Sequence, residues 1–179
     1  MKSIKAFTLI ELVMSIAIIS ILAVSGAFLM IYTVQNGVVM PNQLNMDMLA
    51  TEALSIMIEG DSQAKGLRFC KSVTAVAANQ VDFVNQDGVA MRYRFDTVGG
   101  KLYRKIGAAA EVLLPYYLST GITATGSFTY YDASEVITAT PANVRRIEIV
   151  LTAQTGTGSY NNWEGQSIQR SSIAVKKYQ

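Results

Sequence analysis

The sequence contains no histidine, and this absence removes several classes of enzyme. Without imidazole there is no histidine-based catalytic triad, and the usual ligand sets of zinc hydrolases are missing. No glycine-rich phosphate loop and no G-x-S-x-G elbow occurs in the chain. The sequence therefore predicts no catalytic residue, no cofactor, no metal site and no enzymatic activity.

Cysteine is nearly absent as well. Cys70 is the one cysteine, so no intrachain disulfide can form and packing must stabilise the body. Its neighbours Arg68 and Lys71 favour the thiolate, but most lone cysteines are small buried hydrophobic residues. We interpret Cys70 as a core residue.

An excess of charge of one sign is also missing, since the formal net charge is +2. Thirteen of the fifteen basic side chains and twelve of the thirteen acidic ones follow residue 33, without a long run of either. No nucleic acid partner is predicted. Asp132 and Glu135 could contribute to a calcium loop, but no EF-hand pattern surrounds them, and solvated turn residues are the default interpretation.

Hydrophobic residues are concentrated near the start of the chain, in a 21-residue apolar run from Leu12 to Tyr32. A helix of that length covers about 30 Å, the thickness of a bilayer core. It is longer than the apolar region of a cleaved secretory signal, and Lys2 and Lys5 before it favour a cytoplasmic amino terminus. The sequence predicts a single-pass membrane helix over 7–34 with the body outside the cytoplasm.

One carboxylate, Glu11, stands at the start of this apolar run. A carboxylate within a spanning segment costs about 2.5 to 3.5 kcal/mol on insertion scales. Neither a secretory signal nor a plain membrane anchor explains a charge in this position. Glu11 therefore requires a partner.

The residues around Glu11 resemble a known signal. Lys5-Ala6 followed by Phe7-Thr8-Leu9-Ile10-Glu11 is similar to the class III signal of type IV pilins and type II secretion pseudopilins. The resemblance implies cleavage between Ala6 and Phe7 by a membrane prepilin peptidase, N-methylation of Phe7, and a 1–6 leader. Most members have glycine before the cut, where this chain has Ala6.

The resemblance also implies how Glu11 is neutralised. Cleavage before Phe7 creates an α-ammonium with a pKa of about 8, and Glu11 follows within about one helical turn. In the family, the glutamate at this position pairs with the ammonium of a neighbouring subunit. Phe7 and Glu11 are therefore the expected assembly residues, and the expected partners are other pilins or pseudopilins in the inner membrane.

After the membrane segment the helical pattern is predicted to continue over 35–66, although Gly60 ends the apolar stripe and Gly26, Gly37 and Pro41 mark possible bends. The stripe, which should face the sheet of the body, comprises Met46, Leu49, Ala50, Ala53, Ile56 and Met57. From residue 72 the apolar period changes from 3.6 to 2. The sequence thus predicts an α+β fold in which a long amino-terminal membrane helix packs on a mainly antiparallel β-sheet body at 67–179.

The strand predictions begin with a hairpin, Val81 to Phe83 and Met91 to Phe95, joined by a turn at Gln86-Asp87-Gly88. The later predicted strands are Leu102 to Ile106 after a Gly99-Gly100 turn, Val112 to Tyr117, Ser127 to Tyr131, Val144 to Thr152 and Ser167 to Lys176. This order resembles J-type minor pseudopilins or W-type minor pilins. That resemblance implies a low-copy subunit of a filament tip or initiation complex.

The stretch from Thr155 to Gly165 is rich in glycine and asparagine and predicts an exposed loop. Tyr160 and Trp163 within it are candidate contacts to another minor subunit. Two functions remain open: a structural subunit of a type IV pilus or secretion pseudopilus, and a filament-displayed binding module for DNA, a surface or an exoprotein. The balanced charge favours the first.

Overall fold

The computed structural model describes residues 8–34, 37, 40–114, 121–156 and 165–175. The chain forms two compact units, Met1–Pro41 and Asn42–Gln179. The predicted α+β architecture is confirmed, with apolar helix first and antiparallel sheets after it.

The first unit contains helix α1 (Leu9–Val34), a 26-residue helix whose side chains are all exposed. The helix is long and apolar enough to cross a membrane. Its serine and threonine hydroxyls do not need water, because each bonds a carbonyl four residues earlier in the same helix. These groups are Ser15, Ser20, Ser25 and Thr33, at 2.7 to 2.9 Å. These four hydroxyls are therefore compatible with hydrocarbon.

Helix α2 (Met40–Glu59) supplies one side of the core of the second unit. Its buried residues are Met46, Ala50, Ala53 and Met57, while Leu49 and Ile56 are partly buried. The predicted apolar stripe is thereby confirmed. The Tyr93 hydroxyl, on the sheet, donates to the carbonyl of Ile56 at 3.2 Å and ties the helix to it.

The helix ends at Glu59, whereas the predicted segment continued to residue 66. Gly60 has φ +92°, a conformation that favours glycine, and it forms a bridge with Lys65. A Cβ on Gly66 would lie 2.5 Å from the carbonyl oxygen of Ile58, so only glycine fits there. These close backbone approaches produce a tight turn over residues 60–66 that carries the chain into the sheet.

Eight strands in the described residues form two antiparallel sheets. The five-stranded sheet has the order β1-β2-β3-β4-β5, comprising Cys70–Ala77, Gln80–Asn85, Ala90–Asp96, Lys101–Ile106 and Val112–Leu114. The three-stranded sheet has the order β6-β7-β8, comprising Ile122–Tyr131, Arg146–Thr155 and Gly165–Ala174. Short 3₁₀ helices at Leu67–Phe69 and Pro141–Asn143 precede β1 and β7.

Strand β6 joins the two sheets. The backbone N–H of Phe128 donates to Ala78 at 2.8 Å, and that of Ala124 donates to Gly100 at 2.6 Å. The Tyr130 hydroxyl lies 2.6 Å from the carbonyl oxygen of Gln80 on β2. These contacts unite both sheets around one hydrophobic core, which also contains the buried face of α2.

Arg104 is a charged residue inside this core. It lies on β4 and is 2% exposed. Its Nη1 donates to Asp61 Oδ2 at 2.7 Å, and its Nη2 donates to Gln63 Oε1 at 2.8 Å. Burial of Asp61 opposes the effect, but the hydrogen bonds from Arg104 and the backbone lower the pKa of the Asp61 carboxyl. The ion pair thus connects the turn after α2 to strand β4.

The predicted strands agree with the structure in the hairpin and in β4, while several bounds differ. β6 begins at Ile122 rather than Ser127, β5 is described to Leu114, and β1 had no predicted bounds. Cys70 is buried at the start of β1, and burial raises the pKa of its thiol to about 12. A protonated, buried thiol agrees with its interpretation as a core residue.

Removal of the Asp61 carboxylate should destabilise the second unit, because it leaves the Arg104 charge buried without a counter-charge. We expect Asp61→Ala to lower the free energy of unfolding by about 3 kcal/mol. Urea unfolding of the full chain in detergent, followed by circular dichroism, measures this change. Asp87→Ala removes an exposed pair with Lys65, with side chains 50% and 43% exposed, and should cost at most about 1 kcal/mol.

The same pair gives stability a pH dependence of known sign. Because the folded pKa of Asp61 is lowered, its contribution is present above the ordinary aspartate pKa and is lost as pH falls below about 4. The loss of stability on acidification should be smaller in Asp61→Ala than in the unmodified chain. An equal loss of unfolding free energy in the Asp61 and Asp87 variants would contradict the role assigned to the buried pair.

Candidate functional site

Thr8 and Glu11 form a reciprocal cap at the start of α1. The backbone N–H and the hydroxyl of Thr8 both donate to Glu11 Oε2, at 3.0 and 2.9 Å. In return, Thr8 Oγ1 accepts the backbone N–H of Glu11 at 3.3 Å. This arrangement is a capping box, which satisfies two backbone donors that a helix start leaves free. The carboxylate is therefore held at the first turn of the helix.

The cap leaves one acceptor of the carboxylate unused. Among the residues that the structure describes, no group donates to Glu11 Oε1. The sequence from 8 to 34 contains no lysine or arginine, so α1 itself offers no counter-charge. The site can thus accept a further donor, and a cationic one would also neutralise a charge that is costly in hydrocarbon.

Glu11 is the one predicted site residue that the described part of the chain includes. Ala6 and Phe7 lie outside the described residues, and so do Tyr160 and Trp163. Their predicted roles in cleavage, methylation and partner contact remain predictions. Thr8 was not predicted as a site residue, although a Thr-x-x-Glu spacing before an apolar run is the signal of a capping box.

Several charged side chains of the body form pairs with one another. Arg92 donates to both carboxylate oxygens of Asp82, at 2.8 and 2.7 Å. Arg94 donates to Glu111 at 2.5 Å, and this hydrogen bond lowers the pKa of the Glu111 carboxyl. Pairs that already satisfy each other present little net charge to a ligand, and their contribution to stability is about 1 kcal/mol or less.

The candidate calcium residues also have partners within the protein. Asp132 Oδ1 accepts the backbone N–H groups of Ser134 at 2.8 Å and Val136 at 3.0 Å, while Glu135 pairs with Arg146. In the described ranges, no group of three or more His, Cys, Asp and Glu side chains could hold a metal ion. Asp132 and Glu135 serve the connection between β6 and β7.

The sequence model of the prokaryotic N-terminal methylation motif matches residues 1–27. The match contains the capping box and much of α1, it supports the class III prepilin signal, and it fits a type IV pilin or pseudopilin. Such a motif points to a structural subunit, and together with the apolar helix it is consistent with a single-pass inner-membrane anchor. Comparisons of the chain with curated proteins and with solved structures give no match.

The capping box can be tested with one substitution. Thr8→Val removes the hydroxyl and keeps the backbone N–H and the shape of the side chain. We expect the first turn of α1 to lose about 1 kcal/mol, because the Glu11 N–H loses its acceptor. Amide exchange at Glu11, measured by NMR of the full chain in micelles, should become about fivefold faster. Thr8→Ser should exchange as the unmodified chain does, and an unchanged rate in Thr8→Val would contradict the cap.

Proposed function

We propose that this chain is a minor pilin or pseudopilin, a structural subunit without enzymatic activity that assembles through α1 into a type IV pilus or a type II secretion pseudopilus. One observation carries the proposal. The carboxylate of Glu11 is held by Thr8 at the start of an apolar helix, with one oxygen unused and no cation in 8–34. The segment that contains it matches the methylation motif.

The missing counter-charge would come from a neighbouring subunit. A prepilin peptidase would cleave between Ala6 and Phe7, and methylation of the new amine at Phe7 preserves its positive charge. An amine is protonated in water at neutral pH, and a neighbouring carboxylate favours the charged form. In apolar surroundings an ammonium beside Glu11 Oε1 is attracted far more strongly than in water. A subunit at the wrong axial register would leave both charges unpaired, so the pairing selects the register.

The capping box would orient the Glu11 carboxylate for this contact. Thr8 binds one carboxylate oxygen through two donors, which limits the rotation of the Glu11 side chain. A carboxylate that is already oriented loses less side-chain entropy when a cation binds. Cleavage before Phe7 leaves the Thr8 N–H in place, so the mature chain keeps the cap. Thr8 is thus proposed as a positioning residue for Glu11.

The proposed orientation in the membrane follows from the charges that precede the helix. Lys2 and Lys5 would hold the leader, residues 1–6, in the cytoplasm, and the body would lie in the periplasm. Residues 7–34 would form the membrane and assembly helix, 35–66 a periplasmic segment that contains α2 and the turn after it, and 67–179 the β-rich domain. The mature subunit would then leave the inner membrane for the filament.

The assignment to a minor subunit of the tip or initiation complex is supported by the order of strands, which resembles J-type minor pseudopilins or W-type minor pilins. Tyr160 and Trp163 are proposed contacts to another minor subunit. A display module for DNA is less well supported. The Arg92 and Arg94 side chains of the body are already paired with carboxylates, and no nucleic acid partner is proposed.

The assembly role of the carboxylate can be tested with Glu11→Gln, which keeps the shape of the side chain and an acceptor for Thr8 but removes the charge. We expect normal insertion into the membrane and at least about tenfold less subunit in filaments, as 1.4 kcal/mol of lost pairing is a factor of ten. Quantitative immunoblots of sheared filaments and membranes measure the ratio. Ser15→Ala is the matched control, since its hydroxyl bonds only a carbonyl of its own helix. Filaments with normal amounts of Glu11→Gln would refute the proposed role.

Processing can be tested by mass spectrometry of the mature subunit. We expect a chain that begins at Phe7 and carries one added methyl group. Ala6→Gly should be processed at least as completely, whereas Ala6→Leu, with a bulky residue before the cut, should retain residues 1–6 and stay out of filaments. A functioning filament whose subunits still contain residues 1–6 would disprove the proposed cleavage.

A further inference from the structure

The edges of the two sheets differ in how they are protected against foreign strands. β1 has two breaks in its register with β2, and β5 has three residues. β6 uses its outer edge to donate to the other sheet through Phe128 and Ala124. Irregularity, short length and coverage all prevent another strand from adding to an edge.

Strand β8 lacks these protections over much of its length. It pairs with β7 without a break in register from Gly165 to Ala174. The N–H of Val175 donates to Arg145 at 2.7 Å, so odd-numbered residues face β7 and even-numbered ones direct their N–H and C=O groups to the open side. In the described part of the chain, nothing bonds the N–H groups of Ile168, Arg170 and Ser172.

Gln43 covers one end of this edge. Its Nε2 donates to the carbonyl of Gln166 at 2.5 Å, and its Oε1 accepts the Gln166 N–H at 3.2 Å. The side-chain amide thus makes the two bonds that a neighbouring strand would make. It confirms the direction of the even-numbered groups and leaves the open stretch, residues 168–172, without such a cover.

Arg170 in the middle of the open stretch determines which partner fits. Its side chain is exposed, and no ion pair involves it within the described residues. It shares a face with Ile168, which is 55% exposed, and with Ser172. A second copy of β8 paired antiparallel about Arg170 would set two arginines opposite each other, which is unfavourable. A carboxylate in that position would instead be attracted.

A cleft follows the open stretch at its far end. It has a volume of about 560 Å³ and lies between the carboxyl-terminal part of β8, the end of α2 and the 3₁₀ helix before β1. Its lining includes Ile58, Phe69 and Ile173, with Arg68 at its exposed side. A strand added to β8 would alternate its side chains, so those on the face away from Arg170 would enter this cleft.

We propose that the open edge of β8 binds an extended segment of another protein, in which a glutamate or aspartate opposite Arg170 alternates with apolar residues that fill the cleft. Recognition would combine main-chain hydrogen bonds along Ile168, Arg170 and Ser172 with one charge pair. The surface lies within the second unit and does not depend on the pairing of Glu11. Failure of one proposal therefore leaves the other standing.

A synthetic probe tests the chemistry directly. The probe is a blocked peptide of alternating threonine and valine with glutamate at its centre, and the comparison peptide has lysine there. With the full chain in detergent, we expect the glutamate peptide to bind about 2- to 30-fold more tightly. Amide hydrogen exchange should slow at Ile168, Arg170 and Ser172 and stay unchanged in β1.

Two variants separate the contribution of the backbone N–H to peptide binding from that of the side chain. Ile168→Pro removes an N–H that faces the open side and breaks no bond to β7. Ile168→Ala removes the same side chain and keeps the donor. The proline variant should bind the glutamate peptide at least about fivefold more weakly than the alanine variant. Circular dichroism of both variants checks that the sheet is retained, and the exchange measurement on the unmodified chain does not depend on either.

Three results would overturn the proposal. The first is equal binding by Ile168→Pro and Ile168→Ala when both are folded. The second is equal binding of the glutamate and lysine peptides, or no slowing of exchange on the β8 edge. The third is concentration-dependent dimerisation that protects the same amides without peptide, which would assign the edge to a second copy of this chain.

Discussion

The second unit depends on the hydrogen bonds of the buried Arg104 guanidinium, because they join two distant parts of the chain. Asp61 and Gln63 belong to the turn after α2, while Arg104 lies on β4. A buried arginine without a counter-charge is destabilising by several kcal/mol. The contact between Arg104 and the turn after α2 therefore stabilises both the buried position of the arginine and the position of that turn on the sheet.

Glu11 is also a charge that requires a partner, and it stands on an apolar helix long enough to cross a membrane. Its capping box supplies hydrogen bonds from Thr8 but no positive charge, and the sequence of α1 contains none. In the core, Arg104 is satisfied by its own chain, so its ion pair serves folding. At the start of α1 the charge is satisfied only in part, so its completion would serve assembly. Under the proposed function, association with a neighbouring subunit would supply the missing positive charge.

Sequence patterns predicted those parts of the fold that local alternation determines. Val81 and Phe83 alternate with polar residues, and both are fully buried on β2. β6 was predicted too short because Gly126 interrupts the alternation; a Cβ there would meet the ring of Phe95 and the backbone of β7. The burial of Arg104 could not be predicted, since its partner Asp61 is 43 residues away. Such contacts depend on topology, which composition does not report.

The two candidate sites also differ in whether the sequence alone can predict them. The Thr8–Glu11 cap is local and readable from spacing, whereas the open edge of β8 emerges only from strand order and register. A contact of a few main-chain hydrogen bonds and one charge pair is weak between free molecules. If α1 assembles among other helices as proposed, the same contact would become effectively intramolecular, with an effective concentration of about the millimolar range. A weak edge would therefore suffice in the assembled filament, while Arg170 would discourage pairing between free copies in the membrane.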